Sequence, residues 1–137
     1  MITSQKQFVA AKEKLKMLQE SLKLQKKKGV PEELLQAAGG QIEELISEIE
    51  SEIFDYEDLK KKQITDIQIH SFEDLMSAPI KYRLAKGMTI EEFARKVHVH
   101  SRQIARYESE LYHNVTTDTL LKILDNLDVD ISGNMRI

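Results

Sequence analysis

The 137-residue sequence lacks cysteine and tryptophan and contains two prolines and five glycines. Without cysteine, disulfides and thiolate metal sites are both excluded. No apolar run approaches the roughly 20 residues that a helix needs to cross a bilayer. The first residues lead into a polar, periodic segment instead of a secretory core. These absences predict a cytoplasmic protein that has no attachment to a membrane.

Charge is unevenly distributed along the chain. The net charge is −3, with 20 Lys and Arg against 23 Asp and Glu. Residues 80–107, however, contain seven basic residues against the two acids Glu91 and Glu92. A local basic stretch in an acidic chain predicts specific, salt-sensitive binding of nucleic acid, and it argues against indiscriminate coating.

Two long amphipathic helices are predicted in residues 1–62. Ser4 is a candidate N-cap of the first helix, with Gln7 reaching back in a capping-box pattern. The residues Gly29 and Pro31 predict the turn into the second helix. Helices joined by a short turn fold back as an antiparallel hairpin. The apolar stripe is long for two helices, so we expect a partner, another copy or another protein, to cover the rest.

The remaining residues divide into a connector, 63–71, and a second domain, 72–137. The connector places isoleucines between polar residues, a pattern that fits either an irregular link or a short strand. The second domain is predicted as several short helices around one core. They comprise a helical turn at 72–76, a helix that starts at Pro79, and three more within 89–97, 101–108 and 116–127. The predicted fold class is therefore all-α.

The segment from Thr89 to Glu108 has the physical design of a helix-turn-helix. Thr89 caps the first helix, whose inward residues are Phe93, Ala94 and Val97. In the second helix, Ile104 and Tyr107 lie three residues apart on one face. The opposite face is polar and can bind base edges or phosphates: Ser101, Arg102, Gln103 and Arg106. Arg pairs with guanine and Gln with adenine, at about 1–3 kcal/mol of discrimination each.

Residues 78–131 resemble the Cro-like phage-repressor (XRE) helix-turn-helix family. The matching motifs are R-x-x-K-G-M-T at 83–89, E-E-F-A at 91–94, V-x-x-R-Q-I-A-R-Y-E at 99–108 and T-L-L-K-I-L-x-x-L-x-V at 119–129. The resemblance implies a five-helix domain whose third helix reads the major groove. It places base contacts at His100, Ser101, Arg102, Gln103 and Arg106. Phosphate contacts are expected from Arg83, Thr89, Arg95 and Lys96.

Two positions depart from the family pattern. Ile90 stands where the family usually has a glutamine that grips a phosphate, so that contact is either missing or made by the backbone amide alone. His98 stands where the turn usually has glycine. Because His tolerates positive φ better than most residues, we expect the turn to form with some strain.

The whole arrangement, a helical pair followed by this domain, is similar to that of HigA-type antitoxins. In such antitoxins the helix-turn-helix represses the protein's own operon, and another region binds a toxin. The resemblance implies a homodimeric, autoregulatory repressor that binds double-stranded DNA and holds a toxin through its N-terminal helices. An alternative is a protein-interaction or scaffold module whose helix-turn-helix binds DNA weakly or not at all.

Catalytic and metal-binding interpretations have little support. His98 and His100 could join His70 or His113 at a metal, but zinc needs three or four converging ligands. We interpret His98 as a turn residue and His100 as an N-cap. Glu91 and Glu92 occupy the first turn of a helix, where acids favour the helix dipole. No nucleophile elbow or phosphate loop is present, so we predict no enzyme, no metal and no cofactor.

Overall fold

The computed structural model describes residues 1–27, 32–61 and 64–137, and within them it contains six helices and no strand. The helices are α1 (Gln5–Lys27), α2 (Glu32–Lys60), α3 (Phe72–Ala85), α4 (Ile90–Val97), α5 (Ser101–Ser109) and α6 (Thr117–Asp125). The predicted all-α fold is thus confirmed. The chain divides into two compact units, Met1–Asp58 and Leu59–Ile137. No helix in the described part of the chain is long and apolar enough to cross a membrane.

In the first unit, α1 and α2 form the predicted antiparallel hairpin. The start of α1 lies against the end of α2, since the rings of Phe8 and Tyr56 stack with centroids 5.0 Å apart. Lys12 Nζ lies 3.8 Å from a carboxylate oxygen of Glu57, a pair that also joins the two helices. The contacts at this end of the hairpin thus include an aromatic stack, an exposed ion pair and a hydrogen bond from the Tyr56 hydroxyl to Gln5 Oε1 at 3.5 Å.

The cap of α1 is formed as the sequence predicts. Ser4 Oγ accepts a hydrogen bond from the backbone N–H of Gln7 at 3.1 Å. Gln7 Oε1 in turn accepts from the backbone N–H of Thr3 at 2.8 Å, one residue before the position used in a capping box. The predicted turn at residues 29–31 and the predicted helix end at residue 62 lie outside the described residues.

The apolar seam of the hairpin is incompletely covered. Ile53 and Tyr56 are buried near the end of α2, with 9% and 4% of their surfaces exposed. Farther along, the seam residues of the described part are half-buried: Phe8, Leu15, Leu18, Leu22, Ile42, Ile46 and Ile49. Two helices alone cannot enclose a core, because each leaves one side of the shared stripe open.

In the second unit, one continuous helix, α3, replaces the two helices expected at 72–76 and from Pro79. Ser71 is its N-cap, and the Oγ accepts from the backbone N–H of Asp74 at 3.1 Å. The Asp74 carboxylate accepts from the backbone N–H of His70 at 2.9 Å, again one residue before the position used in a capping box. Pro79 lies inside the helix, where the missing N–H and the ring clash typically cost about 3 kcal/mol. Its ring is fully buried, so packing offsets that cost, and the domain has four helices where five were expected.

The other three helices of the second unit begin and pack as predicted. Thr89 and Thr116 are the N-caps of α4 and α6. The predicted inward residues of α4 and α5 are all buried: Phe93, Ala94, Val97, Ile104 and Tyr107. Capping residues and apolar spacing act locally, which is why these three helices could be predicted from the sequence.

The segment that precedes α3 in the second unit resolves the choice that the sequence left open. Residues 64–70 adopt no regular secondary structure, so this described part is an irregular link and not a strand. Its isoleucines, Ile64, Ile67 and Ile69, are half-buried.

A buried hydroxyl follows α5. Tyr112 is 0% exposed, and among the described residues its hydroxyl has no hydrogen-bond partner. Burial, reinforced by the negative charge of Glu108, raises the pKa of Tyr112 above the ordinary value of 10.0. The hydroxyl therefore stays neutral in the folded protein and is deprived of its bonds to water.

Tyr112→Phe is expected to raise the free energy of unfolding by about 1 kcal/mol at neutral pH, because unfolding otherwise lets the hydroxyl regain those bonds. The parent should lose further stability as the pH rises above about 10, since the unfolded tyrosine ionises first. Urea unfolding at neutral and alkaline pH measures both effects. Tyr107→Phe is the control and should lose stability at alkaline pH as the parent does. If Tyr112→Phe lost as much stability at alkaline pH as the parent, the loss would not come from the Tyr112 hydroxyl.

Candidate nucleic-acid interface

The turn between α4 and α5 has the backbone that a helix-turn-helix requires. His98 is the C-cap of α4 and adopts the left-handed conformation, with φ 58° and ψ 40°. The next backbone N–H, of Val99, donates to the carbonyl of Ala94 at 3.1 Å. Lys122 of α6 donates to the carbonyl of His98 at 2.9 Å, which ties a third helix to the turn. The turn therefore forms with histidine at the glycine position, as expected.

His98→Gly is expected to stabilise the protein by about 0.5–1 kcal/mol, because glycine adopts positive φ without the clash that an L-residue meets there. Chemical denaturation measures this change. Ala105→Gly on the exposed surface of α5 is the matched substitution, and it should instead destabilise by about 1 kcal/mol. A loss of stability in both variants would show that the His98 side chain contributes more than its backbone strain costs.

His100 caps α5 through its ring. Its Nδ1 accepts a hydrogen bond from the backbone N–H of Arg102 at 3.1 Å, which agrees with the predicted N-cap role. In the neutral imidazole, a nitrogen that accepts leaves the other nitrogen as the donor. The exposed ring therefore keeps Nε2–H as a donor for an acceptor outside the protein.

The structure brings three predicted base-reading side chains together on one exposed surface of α5. Arg102 and Arg106 are four residues apart, one helical turn, and Gln103 flanks them; all three are exposed. We call these three residues the recognition face. On the other side, Ile104 is 0% and Tyr107 7% exposed, so α5 is anchored by its apolar face. Ser101 begins the helix and is half-buried.

Arg83 lies in the interior and not on the surface where a phosphate contact was expected. It is 7% exposed, and its Nε and Nη2 lie 2.7 and 2.8 Å from the two carboxylate oxygens of Glu108. Nη1 donates to the carbonyl of Met88 at 3.1 Å. A bidentate, charge-assisted pair of this kind leaves the guanidinium no route to DNA. We therefore assign Arg83 to holding α3, α5 and the loop before α4 together.

Sequence reasoning missed the partner of Arg83, although a signal was present. Glu108 follows Ile104 by four residues and Tyr107 by one, so it belongs to the buried face of α5. Arg83 likewise falls on the buried face of α3, between Ile80 and Leu84. A charge on an apolar face is rarely buried without an opposite charge. An acid and a base on the buried faces of two helices in one domain are therefore candidates for a buried ion pair.

The other expected phosphate contacts surround α4 and are exposed. The Thr89 hydroxyl accepts from the backbone N–H of Glu92 at 3.1 Å and so serves as the cap. Arg95 and Lys96 are in the last turn. The Lys96 ammonium lies 5.7 Å from the ring centroid of Tyr82, a cation–π distance that steadies the side chain at the surface. Ile90 is half-buried and contributes no polar group.

The histidines do not form a common site in the structure. Across residues 1–27, 32–61 and 64–137, no three His, Asp or Glu side chains are grouped so that they could hold a metal ion. His98 and His100 serve the turn and the cap, and His113 Nε2 lies 3.6 Å from a carboxylate oxygen of Glu73.

Comparison with known proteins gives one match. Residues 80–134 match the family model described as helix-turn-helix. No curated protein and no solved structure matches the chain. The matched range contains α4, α5 and α6, and with them the turn at His98 and the entire recognition face.

Proposed function

We propose that this chain, whose residues 80–134 form a helix-turn-helix domain of the Cro-like phage-repressor (XRE) family, is a sequence-specific DNA-binding transcriptional regulator. The observation that carries the proposal is the recognition face. Its three polar side chains are exposed while Ile104 and Tyr107 anchor the same helix. A major groove about 12 Å wide admits such a helix and displays a distinct donor and acceptor pattern for each base pair.

The contacts follow from the chemistry of each side chain. Arg102 and Arg106 present the fork of donors that fits guanine O6 and N7, and Gln103 can pair with adenine. His100 and Ser101 lie at the N-terminus of α5, the end that enters the groove first. These contacts read sequence, whereas phosphate contacts set position on the duplex.

The phosphate contacts that position the domain on the duplex come from α4. Its last turn carries Arg95 and Lys96, and its N-terminus presents backbone amides after Thr89. Helix N-termini bind phosphate through such amides and through the helix dipole. The amides can thus take over the contact that glutamine makes in the family and that Ile90 cannot make. We further propose a homodimer, because half-sites about one helical turn apart match two domains related by a two-fold axis.

Selection of bound duplexes from a random pool, followed by salt titration of the selected duplex, tests this function. We expect a palindrome and a steep fall in affinity with salt, because each phosphate contact releases counterions. The control duplex is the selected sequence with both half-sites scrambled. If no sequence is enriched while the protein stays folded, the helix-turn-helix does not bind DNA sequence-specifically and the proposal fails.

We also propose that the regulator is an autoregulatory antitoxin whose first unit binds a toxin. The half-exposed seam supports a protein partner there, as do large apolar side chains on the surface of the hairpin. Four are at least 46% exposed: Val9, Met17, Leu24 and Phe54. Exposed apolar groups rimmed by charge are typical of interaction surfaces.

A neighbouring gene for a small RNase-like protein is the first thing to look for. If it exists, co-expression with this chain should relieve its toxicity and yield a complex. Met17→Glu should weaken that complex, because it buries a charge in the contact. Lys14→Glu is the control: it changes a position that is already charged and exposed, and it should leave the complex intact. Equal toxicity with and without the chain would contradict the antitoxin role.

The scaffold alternative makes a different prediction for DNA. A module that serves mainly protein interactions would bind duplexes weakly even as a dimer, and its affinity would change little with salt. The salt titration therefore separates the two functions on the same sample.

A further inference from the structure

The second unit contains a groove of about 540 Å³ that DNA binding does not use. It is lined by the irregular residues 64–69, by Ala78, Tyr82 and Ala85 of α3, and by residues 127–130. Its volume is in the range of sites that bind ligands or peptide segments. All of its lining belongs to the unit Leu59–Ile137.

Two segments at this groove have the sequence pattern of strands. In residues 64–70, Ile67 and Ile69 alternate with polar residues. In residues 129–137 the pattern is longer but interrupted at Gly133: Val129, Ile131, Met135 and Ile137 stand at odd positions, with Asp130, Ser132, Asn134 and Arg136 at even ones. A period of two is typical of a strand with one apolar face. In the structure neither segment belongs to a strand ladder. The backbone N–H of His70 donates to Asp74, so it is along residues 64–69 that a partner strand can add.

The apolar side chains of residues 131–137 are uncovered within one copy. Ile131 is 57% and Met135 88% exposed, and Ile137 is fully exposed. The chain reaches this segment through Asp128, whose φ of 51° redirects it after α6. An apolar face with a period of two that packs against nothing in its own chain indicates that another molecule covers it.

The side-chain charges of this segment and of the groove are opposite. The groove carries Asp66, Asp128 and Asp130 against Lys86, so it is acidic. Residues 131–137 carry one charged side chain, that of Arg136, and it is positive.

We propose that residues 131–137 of a second copy lie in this groove as a strand added along residues 64–69, and that the exchange is reciprocal. Strand addition satisfies the free backbone groups of both segments, while the odd-numbered side chains enter the groove beside Ile67 and Ile69. A reciprocal contact is isologous and closes as a two-fold dimer. The inference rests on the proposed function in so far as it gives the interface of the homodimer proposed there.

Engineered cysteines test the contact directly, because the natural chain has none. One protein carries Met135→Cys, and a second, distinguished by a size tag, carries Ile67→Cys or Ile69→Cys. Oxidation of the mixture should yield a disulfide between tagged and untagged chains for at least one pair, since bonding needs Cβ atoms about 4 Å apart. Asn134→Cys, on the other face of the strand, should cross-link much less. No mixed disulfide with either groove position would overturn the inference.

Oligomeric state without DNA provides the second test. The parent should have the mass of two chains by light scattering, and Ile131→Asp with Met135→Asp should give single chains of unchanged helicity. Ser132→Asp with Asn134→Asp adds the same charge to the other face and should leave the dimer intact. A parent of one chain, or a dimer that tolerates Asp at 131 and 135, would overturn the inference. Either result leaves the duplex selection on the parent to decide the DNA-binding proposal separately.

Discussion

Glu108→Ala is expected to lower the free energy of unfolding of the second unit by about 3–5 kcal/mol, the cost of stranding a buried charge. Both partners of the pair are buried, and Arg83 binds both oxygens of Glu108 at 2.7 and 2.8 Å. Loss of the carboxylate leaves a guanidinium in the interior with the carbonyl of Met88 as a remaining partner. Urea unfolding measures the loss, and hydrogen exchange of the α5 amides assigns it to this unit.

Two variants control this result. Glu73→Ala removes the acid of the exposed pair with His113 in the same unit, and it should change stability little because solvent screens such pairs. Arg83→Met with Glu108→Leu replaces both charges by apolar groups of similar size and should recover most of the loss. If Glu108→Ala costs no more than Glu73→Ala, the pair does not hold the domain together.

Arg102→Ala is expected to lower affinity for the selected duplex by about 1–3 kcal/mol per half-site, which is roughly 5- to 150-fold. It should also relax base preference at one position of each half-site. Stability should not change, because the side chain is exposed. Binding measured against the selected duplex and its single-base variants shows both effects, with unfolding of the same samples as the check on fold.

Lys96→Ala supplies the contrasting result. A phosphate contact carries no sequence information, so its loss should weaken binding to all duplexes alike and reduce the salt slope by about one per half-site. Lys14→Ala removes an exposed charge from α1 in the first unit and should leave both properties unchanged. An Arg102→Ala protein that ranks all duplexes as the parent does would remove Arg102 from the recognition face.

The helix-turn-helix was predictable because its signals are local. Thr89 and Thr116 cap helices within three residues of their own position, and apolar residues at helical spacing mark the inward face. The left-handed turn at His98 was expected from the resemblance, because this residue stands where the family usually has glycine. Exposure of Arg102, Gln103 and Arg106 then follows, because Ile104 and Tyr107 place the opposite face inside.

The start of α3 shows where local signals compete. Pro79 is a favourable first residue of a helix, and a helix was expected to start there. The N-cap Ser71 instead begins the helix at Phe72, seven residues earlier, and the helix persists through Pro79 because the ring is buried in the core. The energy of that burial depends on residues distant in sequence, so no window around Pro79 contains it.

The sequence by itself determined the helical class, the position of the helix-turn-helix and the side chains that α5 exposes, since these depend on caps and periodicity within one or two turns. Only the tertiary structure established the contact between Arg83 and Glu108, because the two residues are 25 positions apart in the chain. It alone also decided that residues 64–70 and 129–137 stay without a ladder in one copy. A strand needs a neighbour to bond with, and alternation in the sequence does not supply one.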